Sequence, residues 1–429
     1  MLSAADADLV RRDEALPGLA TVLDPEAFVA ALRHAAPEAD FRTARIRHVK
    51  LKPRDFCRVS YRVDIAGSEL DLDVHACRPC ELARWLPPEP SPHVSGSIGP
   101  GRIVLRDRAT LVMVFPDDLK LAELRHLTDA VERERLIAEV LPEWPSLRQG
   151  QLLHLSYWPE RRFVAALRGR DGSRALLKLY TARGYKSGQR TATAFKSSGA
   201  LRIARLLGSS ERRRLLAFEW MPGRLLADFD EAPLPDNQAF RATGAALAAL
   251  HAQGSDGLDC WMRADEAAYI SELAADIGFI HPDLAGRAEA LARRLTAELV
   301  RAPEMHVPVH GDLSPKQVIL GEHEAAIVDF DGACCADPAL DLGNMLAQFE
   351  LDALRGKPGV ESLREVFLEG YRLASKRSLP ERITLYTVVG LLRKSRFPFR
   401  THLPDWPQRT QAILERAEII SRSKPCWDA

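Results

Sequence analysis

Three oxygen-bearing side chains stand close together in one stretch of the chain. Asp312 and Gln317 lie in Val309-His310-Gly311-Asp312-Leu313-Ser314-Pro315-Lys316-Gln317-Val318-Ile319-Leu320, and Asp329 opens Asp329-Phe330-Asp331-Gly332. An apolar strand is expected over Val318–Leu320, a turn over 321–324 and a second strand over Ala326–Val328. A hairpin sets its two ends side by side, so Asp312 and Gln317 before the first strand should meet Asp329 after the second. Oxygen donors of this kind suit a hard cation such as Mg²⁺, which takes one or two carboxylates and completes its shell with phosphate and water. Phosphoryl transfer asks for this set: neutralised phosphates, a positioned acceptor and a group that takes the hydroxyl proton. Asp312 can take that proton, and Gln317 and Asp329 can hold the metal. Lys178, in Leu176-Leu177-Lys178-Leu179-Tyr180, is the candidate phosphate clamp. By itself a strand lysine reads better as solvent-facing.

The elements that must position these groups fall into two kinds. Strands are expected at Val59–Ile65, Leu70–Val74, Phe163–Leu167, Ala175–Tyr180 and Leu215–Trp220. Helices are expected at 124–140, 189–198, 237–252, 265–277, 284–300, 339–354, 360–374, 381–396 and 407–422. The stretch with Pro87, Pro88, Pro90 and Pro92 and then Ser95-Gly96-Ser97 is expected to be a loop. A β-rich part followed by a helical part is an α+β arrangement. Two pairs of segments recur at one spacing of 106 residues: Lys52-Pro53-Arg54 with Trp158-Pro159-Glu160, and Phe115-Pro116-Asp117 with Met221-Pro222-Gly223. That spacing aligns Leu72 with Lys178, so the first copy lacks the clamp, and it has no catalytic-loop sequel.

The segment around Asp312 resembles the aminoglycoside phosphotransferase and choline kinase superfamily, whose catalytic loop reads His-Gly-Asp-Leu-His-x-x-Asn. It is also similar to the His-Arg-Asp-Leu-Lys-Pro-x-Asn loop of protein kinases. The match runs through His310, Gly311, Asp312 and Leu313, with Gln317 at the asparagine position, a change in which the chain resembles the maltokinase branch. Asp329-Phe330-Asp331-Gly332, Asp337-Pro338-Ala339-Leu340-Asp341-Leu342-Gly343 and the hinge-like Phe218-Glu219-Trp220-Met221-Pro222-Gly223 follow the superfamily's order.

The resemblance implies a protein-kinase-like bilobal α+β fold and an ATP- and Mg²⁺-dependent transfer to a hydroxyl of a small molecule such as an aminoglycoside, sugar or amino alcohol. It makes Asp312 the base, Gln317 and Asp329 the metal ligands, and Lys178 with the backbone at Glu219 and Met221 the nucleotide site. The turn Trp158–Arg162 would cover the phosphates, and His310, Asp337 and Asp341 would brace the loop. The expected domains are an N-terminal α+β cap over 1–130, read as a degenerate small-lobe copy, a small lobe over 131–222 and a helical large lobe over 223–429. One departure stands out: between Lys178 and Glu211 there is no acidic residue to pair with the lysine.

Composition bounds the rest. Lysine plus arginine equals aspartate plus glutamate at 59 each, which gives no sign of a nucleic-acid partner. No apolar run approaches the ~20 residues that cross a bilayer, and seven cysteines in 429 residues form no disulfide framework. A cytoplasmic protein without a membrane partner is expected. Asp265, Glu266, Glu272 and Asp276 could give an acidic acceptor cleft. The competing reading is a catalytically weak pseudokinase that serves as a nucleotide-binding scaffold.

Overall fold

The computed structural model describes residues 1–86, 101–231, 237–301, 304–321 and 324–423. The proline- and serine-rich loop expected at 87–97 and the middle two residues of the 321–324 turn lie outside them.

Helices α1 (Ala4–Arg12), α2 (Leu19–Leu23) and α3 (Pro25–Ala35) cover one face of a five-stranded antiparallel sheet. Its strands are β1 (Phe41–Lys52), β2 (Phe56–Ile65), β3 (Ser68–Cys77), β4 (Arg102–Leu105) and β5 (Thr110–Val114), with α4 (Leu82–Trp85) after β3. The order is β1-β2-β3-β5-β4. Strict alternation in β2 sends Cys57, Val59, Tyr61 and Val63 to the helices. There Tyr61 stacks on Phe28 at 4.4 Å and donates to Val22 O at 3.0 Å. The opposite face carries Arg58, Asp73 and His75.

The chain then forms α5 (Leu124–Thr128) and α6 (Ala130–Val140). The single helix expected over 124–140 is broken at Asp129, whose carboxylate accepts from the amides of Val131 and Glu132 and starts a new helix. A second five-stranded antiparallel sheet follows: β6 (Gln151–Trp158), β7 (Arg162–Arg168), β8 (Arg174–Tyr180), β10 (Leu206–Ser210) and β11 (Leu215–Glu219), ordered β6-β7-β8-β11-β10. Both sheets therefore run first, second, third, fifth, fourth. Their first turns match as well, with Arg54 (φ 57°) and Glu160 (φ 52°) both left-handed. Strand pairing changes one detail of the alignment. Lys178 faces Val164, the counterpart of Arg58, and Arg58 faces His75. His75, not Leu72, thus stands where the second sheet has its lysine.

Helix α7 (Ala182–Thr191) starts directly after β8, earlier than the expected 189–198. Thr181 caps it, and Gly188 allows it to lie against the Tyr180 ring, where a Cβ would come within 3.1 Å. Two glycines and six charged or polar residues hid this helix from a periodicity argument.

The remaining chain is mostly helical: α8 (Asn237–His251), α9 (Arg263–Ile280), α10 (Ala285–Arg301), α11 (Ala339–Leu354), α12 (Val360–Ser375), α13 (Ile383–Lys394), α14 (Phe397–Arg400) and α15 (Trp406–Arg422). Short strands β9 (Leu201–Arg202), β12 (Arg224–Leu225), β14 (Val318–Leu320) and β15 (Ala325–Ile327) form one small sheet, and β13 (Val307–Val309) pairs with β16 (Cys334–Ala336). Phe399, Trp406 and Ile280 pack into the core of the N-terminal sheet. Trp406 Nε1 donates to Asp6 at 3.1 Å, and Arg12 donates to Phe279 O at 2.7 Å. Residues from opposite ends of the chain thus share one core. The architecture is α+β, with a β-rich and a helical lobe facing each other across a cleft. No helix among the described residues is long and apolar enough to cross a membrane.

Candidate active site

The loop after β13 is held from beneath by Asp341 on α11. Its buried carboxylate accepts from the amides of His310 (2.7 Å) and Gly311 (2.9 Å) and contacts His251 Nε2 at 3.1 Å. Burial pushes this carboxyl up, but the His251 bond and charge and the His310 amide outweigh it and hold it below the usual carboxylate range. His310 Nε2 lies 3.0 Å from Val328 O, and its Nδ1 receives the Asp312 amide at 3.3 Å. Gly311 sits at φ +81°, and a Cβ there would meet Gly332 O at 2.3 Å, so glycine alone allows the two turns to touch. Asp337 accepts from the Ala339 amide at 2.9 Å and pairs with Arg382, which fixes the start of α11.

These braces carry Asp312 to the rim of the cleft, where its side chain is 70% exposed and Arg393 Nη1 lies 3.5 Å from Oδ1. Arg393 is held in turn: it donates to Asn344 Oδ1 at 2.5 Å, and Asn344 donates to Gly311 O at 3.3 Å. The exposed carboxylate is open to a hydroxyl that enters the cleft.

Asp329 takes left-handed backbone (φ 71°, ψ 55°), a conformation aspartate tolerates better than most residues. Its carboxylate turns toward the β-rich lobe. Lys178 Nζ donates to Asp329 Oδ1 at 2.6 Å and to Asp331 Oδ1 at 3.2 Å. Arg162 forks onto both oxygens of Asp329 at 2.7 and 2.8 Å and reaches Asp331 at 2.5 Å, while Tyr180 donates to Asp331 at 2.9 Å. Burial opposes ionisation of Asp329, but the Lys178 and Arg162 charges win and hold it far below the usual range. Lys178 is only 7% exposed, which removes the solvent-facing alternative. The helix after β8 supplies no acid, and Asp329 and Asp331 serve as the lysine's partners.

Gln317 lies at the same end of the β14–β15 hairpin. Its backbone carbonyl accepts from the Val328 amide at 2.9 Å, and its Oε1 accepts from Ser314 Oγ at 2.5 Å. At Gly332 a Cβ would approach Asp312 Cβ to 3.9 Å. The backbone thus brings Gln317 beside Val328 and the 330–332 turn against Asp312, with direct ion pairing at Asp329. Among the described residues no three His, Cys, Asp or Glu side chains form a ready-made metal cage. Asp329 and Asp331 with the Gln317 carboxamide nevertheless suit Mg²⁺, which keeps part of its shell for phosphate and water. At the cleft's edge the Glu219 amide is committed to Arg205 O at 2.8 Å, and the Met221 amide has no hydrogen bond among the described residues.

The turn between β6 and β7 contains no glycine and is fastened from outside. Asp118 Oδ2 accepts from the Glu160 amide at 2.7 Å and from Tyr157 Oη at 2.8 Å. The Glu160 carboxylate, 7% exposed as a residue, pairs with Lys120 at 2.6 Å and with Arg58 of the N-terminal sheet. The acids expected to line an acceptor cleft are dispersed. Asp265 caps α9, Glu266 is buried against Trp261 Nε1 at 2.5 Å, Asp276 pairs with Arg396, and Glu272 is exposed elsewhere on the helix.

Sequence reasoning missed Arg162, Tyr180, Asp331 and Arg393. The first two had a signal. Arg162 faces Tyr180 across the β7–β8 ladder, and two-residue alternation sets both on Lys178's side of the sheet.

A β-rich lobe, a helical lobe and a braced aspartate loop facing a strand lysine define a phosphotransferase of the protein-kinase-like class. The profile of the phosphotransferase enzyme family matches residues 162–385, more than half of the chain, and the chain belongs to that family. It is a small-molecule phosphotransferase. The chain is similar to macrolide 2′-phosphotransferase MphH from Brachybacterium faecium, with 20% identity, a TM-score of 0.42 and coverage of 62% of this chain and 91% of that one. It is similar to a choline/ethanolamine kinase family protein from Mesorhizobium loti, with 15% identity, a TM-score of 0.47 and coverage of 69% and 96%. A thermostable mutant of aminoglycoside phosphotransferase APH(4)-Ia, in a ternary complex with AMP-PNP and hygromycin B, gives 16%, 0.48, 68% and 99%. No curated protein matches the chain by sequence.

Proposed function

We propose that the protein transfers the γ-phosphate of ATP, with Mg²⁺, to a hydroxyl of a small molecule. The observation that carries this reading is the pairing of Lys178 with Asp329 across the cleft, at 2.6 Å, beside a loop that presents the exposed Asp312 carboxylate next to Arg393.

Asp312 accepts the hydroxyl proton as the acceptor oxygen bonds to the γ-phosphorus and the bond from that phosphorus to the β–γ bridging oxygen breaks, leaving ADP. Arg393 keeps Asp312 aimed. Lys178 and Arg162 hold the phosphates from the sheet side, and the Met221 amide and Glu219 carbonyl receive the adenine edge. Asp329 and Gln317 would hold the metal, which supplies neutralising charge to the phosphates when bound. Residues 1–130 act as a cap that pins the 158–162 turn, within a division into 1–130, 131–222 and 223–429.

The test is nucleoside-diphosphate release from ATP with a panel of hydroxyl compounds, with and without Mg²⁺. Turnover by the wild type that requires the metal supports the reading; nucleotide-independent behaviour of every preparation opposes it.

A further inference from the structure

The ladder of β13 and β16 has two ends. Val309 pairs with Cys334 at the end that runs into the Asp312 loop, and Val307 pairs with Ala336 at the other. His306 and Asp337 continue from that far end. A cavity opens there, with Trp261, Met262, Glu266, Met305, Asp337 and Tyr386 on its walls and about 340 Å³ of empty space open to solvent. That volume is within the range of small-molecule sites. Asp312, Gln317, Asp329 and Lys178 do not line it, so it is separate from the catalytic cleft.

The segment before α9 builds one wall. The Cys335 amide donates to Asp259 O at 2.8 Å and the Trp261 amide to Cys335 O at 2.9 Å, which lays 259–261 along β16. Trp261, Met262 and Met305 stay exposed around the cavity. Behind them stands a carboxylate in the first turn of α9. Glu266 is only 3% exposed. Its Oε2 accepts from Trp261 Nε1 at 2.5 Å. Among the described residues its Oε1 has no hydrogen-bond partner and the carboxylate has no ion pair.

The other charges on the walls are matched to one another. Glu304 lies 3.7 Å from Arg263 and 3.6 Å from His306, and Asp337 pairs with Arg382. Arg263 also donates to Val300 O at 3.1 Å. Burial pushes the Glu266 carboxyl up against the Trp261 bond and the Arg393 charge, and Asp337 adds to the rise. A buried carboxylate is normally paired with a cation. Here the walls supply none for Glu266, while an indole, a phenol ring and two thioethers surround it. Aromatic faces attract cations, and methionine adapts to an apolar guest.

We propose that this cavity binds a small protonated amine with an apolar body, as a second site distinct from those of the nucleotide and the phosphate acceptor. The ammonium donates to Glu266 Oε1, and the body lies against Trp261, Tyr386 and the two methionines. The site stands whether or not the chain transfers phosphate, because no residue of the catalytic loop takes part in it.

Calorimetric titration into the full chain compares phenethylamine with phenethyl alcohol and phenylacetate, its neutral and anionic counterparts. The amine is expected to bind about tenfold or more tighter than the alcohol, the worth of a charge-assisted hydrogen bond, and the carboxylate weakest of the three. Glu266→Gln keeps an acceptor for Trp261 Nε1 and is expected to remove that advantage. Met305→Arg, at an exposed position on the wall, sets a cation against the ligand and should weaken amine binding severalfold, a second readout if Glu266→Gln fails to fold. Asp312→Asn is expected to bind the amine as the wild type does. An amine no tighter than the alcohol overturns the proposal, as does an affinity that a folded Glu266→Gln or Met305→Arg leaves unchanged. Loss of amine binding in Asp312→Asn also overturns it, because the ligand would then lie in the catalytic cleft.

Discussion

Lys178 Nζ and Asp329 Oδ1 lie 2.6 Å apart although 151 residues separate them in the chain. Arg162 grips the same carboxylate from the neighbouring strand. The lysine therefore needs no helix glutamate, and Asp329 is neutralised by two protein cations. Replacing Lys178 by Ala should lower kcat/KM for ATP by roughly 10²–10³, as for loss of one preorganised electrostatic contact. Arg162→Ala should reduce the Mg²⁺ concentration that gives half-maximal ADP release, because the guanidinium no longer competes for Asp329. Magnesium titrations of both variants check this.

The Glu160 turn depends on the N-terminal sheet. Arg58→Ala leaves Glu160 and Asp73 buried with one cation fewer, and breaking a buried pair costs about 3–5 kcal/mol. Urea unfolding should show that loss, and KM for ATP should rise as the turn loosens. Deletion of 1–130 should give an aggregating product, because Phe399, Trp406 and Ile280 would lose their packing partners.

Much of this arrangement was legible from residue order, and the rest was not, for identifiable reasons. The hairpin that follows Gln317 could be read from a short apolar run, a turn and a second apolar run. Most long helices of the second half followed from three- and four-residue spacing. Helix α7 escaped because its buried contact is glycine against the Tyr180 ring, which leaves no apolar stripe. Arg162 escaped because its role depends on strand register, and the alignment by fixed spacing misplaced the lysine's counterpart at Leu72 for the same reason. The two hairpin loops differ in length.

Asp73 should make stability depend on pH. Burial pushes its carboxyl up to about 7, with Arg58 opposing and Glu160 and Asp118 adding to the rise. The folded chain then holds a proton that the unfolded chain releases near its ordinary value, ~3.9. This contribution is fully present at low pH and is lost as pH rises through about 7. Asp73→Asn has no such proton to lose, so its thermal midpoint should fall less between pH 5 and pH 8 than the wild type's. Paired thermal melts decide it.

Asp341→Ala removes the acceptor for two loop amides and His251 at once. A loss of roughly 3 kcal/mol in stability is expected for a buried, multiply bonded carboxylate. Activity should fall further than stability, since Asp312 would lose its fixed position; unfolding curves beside ADP-release rates separate the two effects.

The most direct test of the account is ADP release by wild type and by Asp312→Asn with Mg²⁺, ATP and the acceptor panel. Removal of the base should cut turnover by about 10²–10⁴ while ATP still binds. Equal turnover in the two proteins, or wild-type turnover that ignores Mg²⁺, would contradict it.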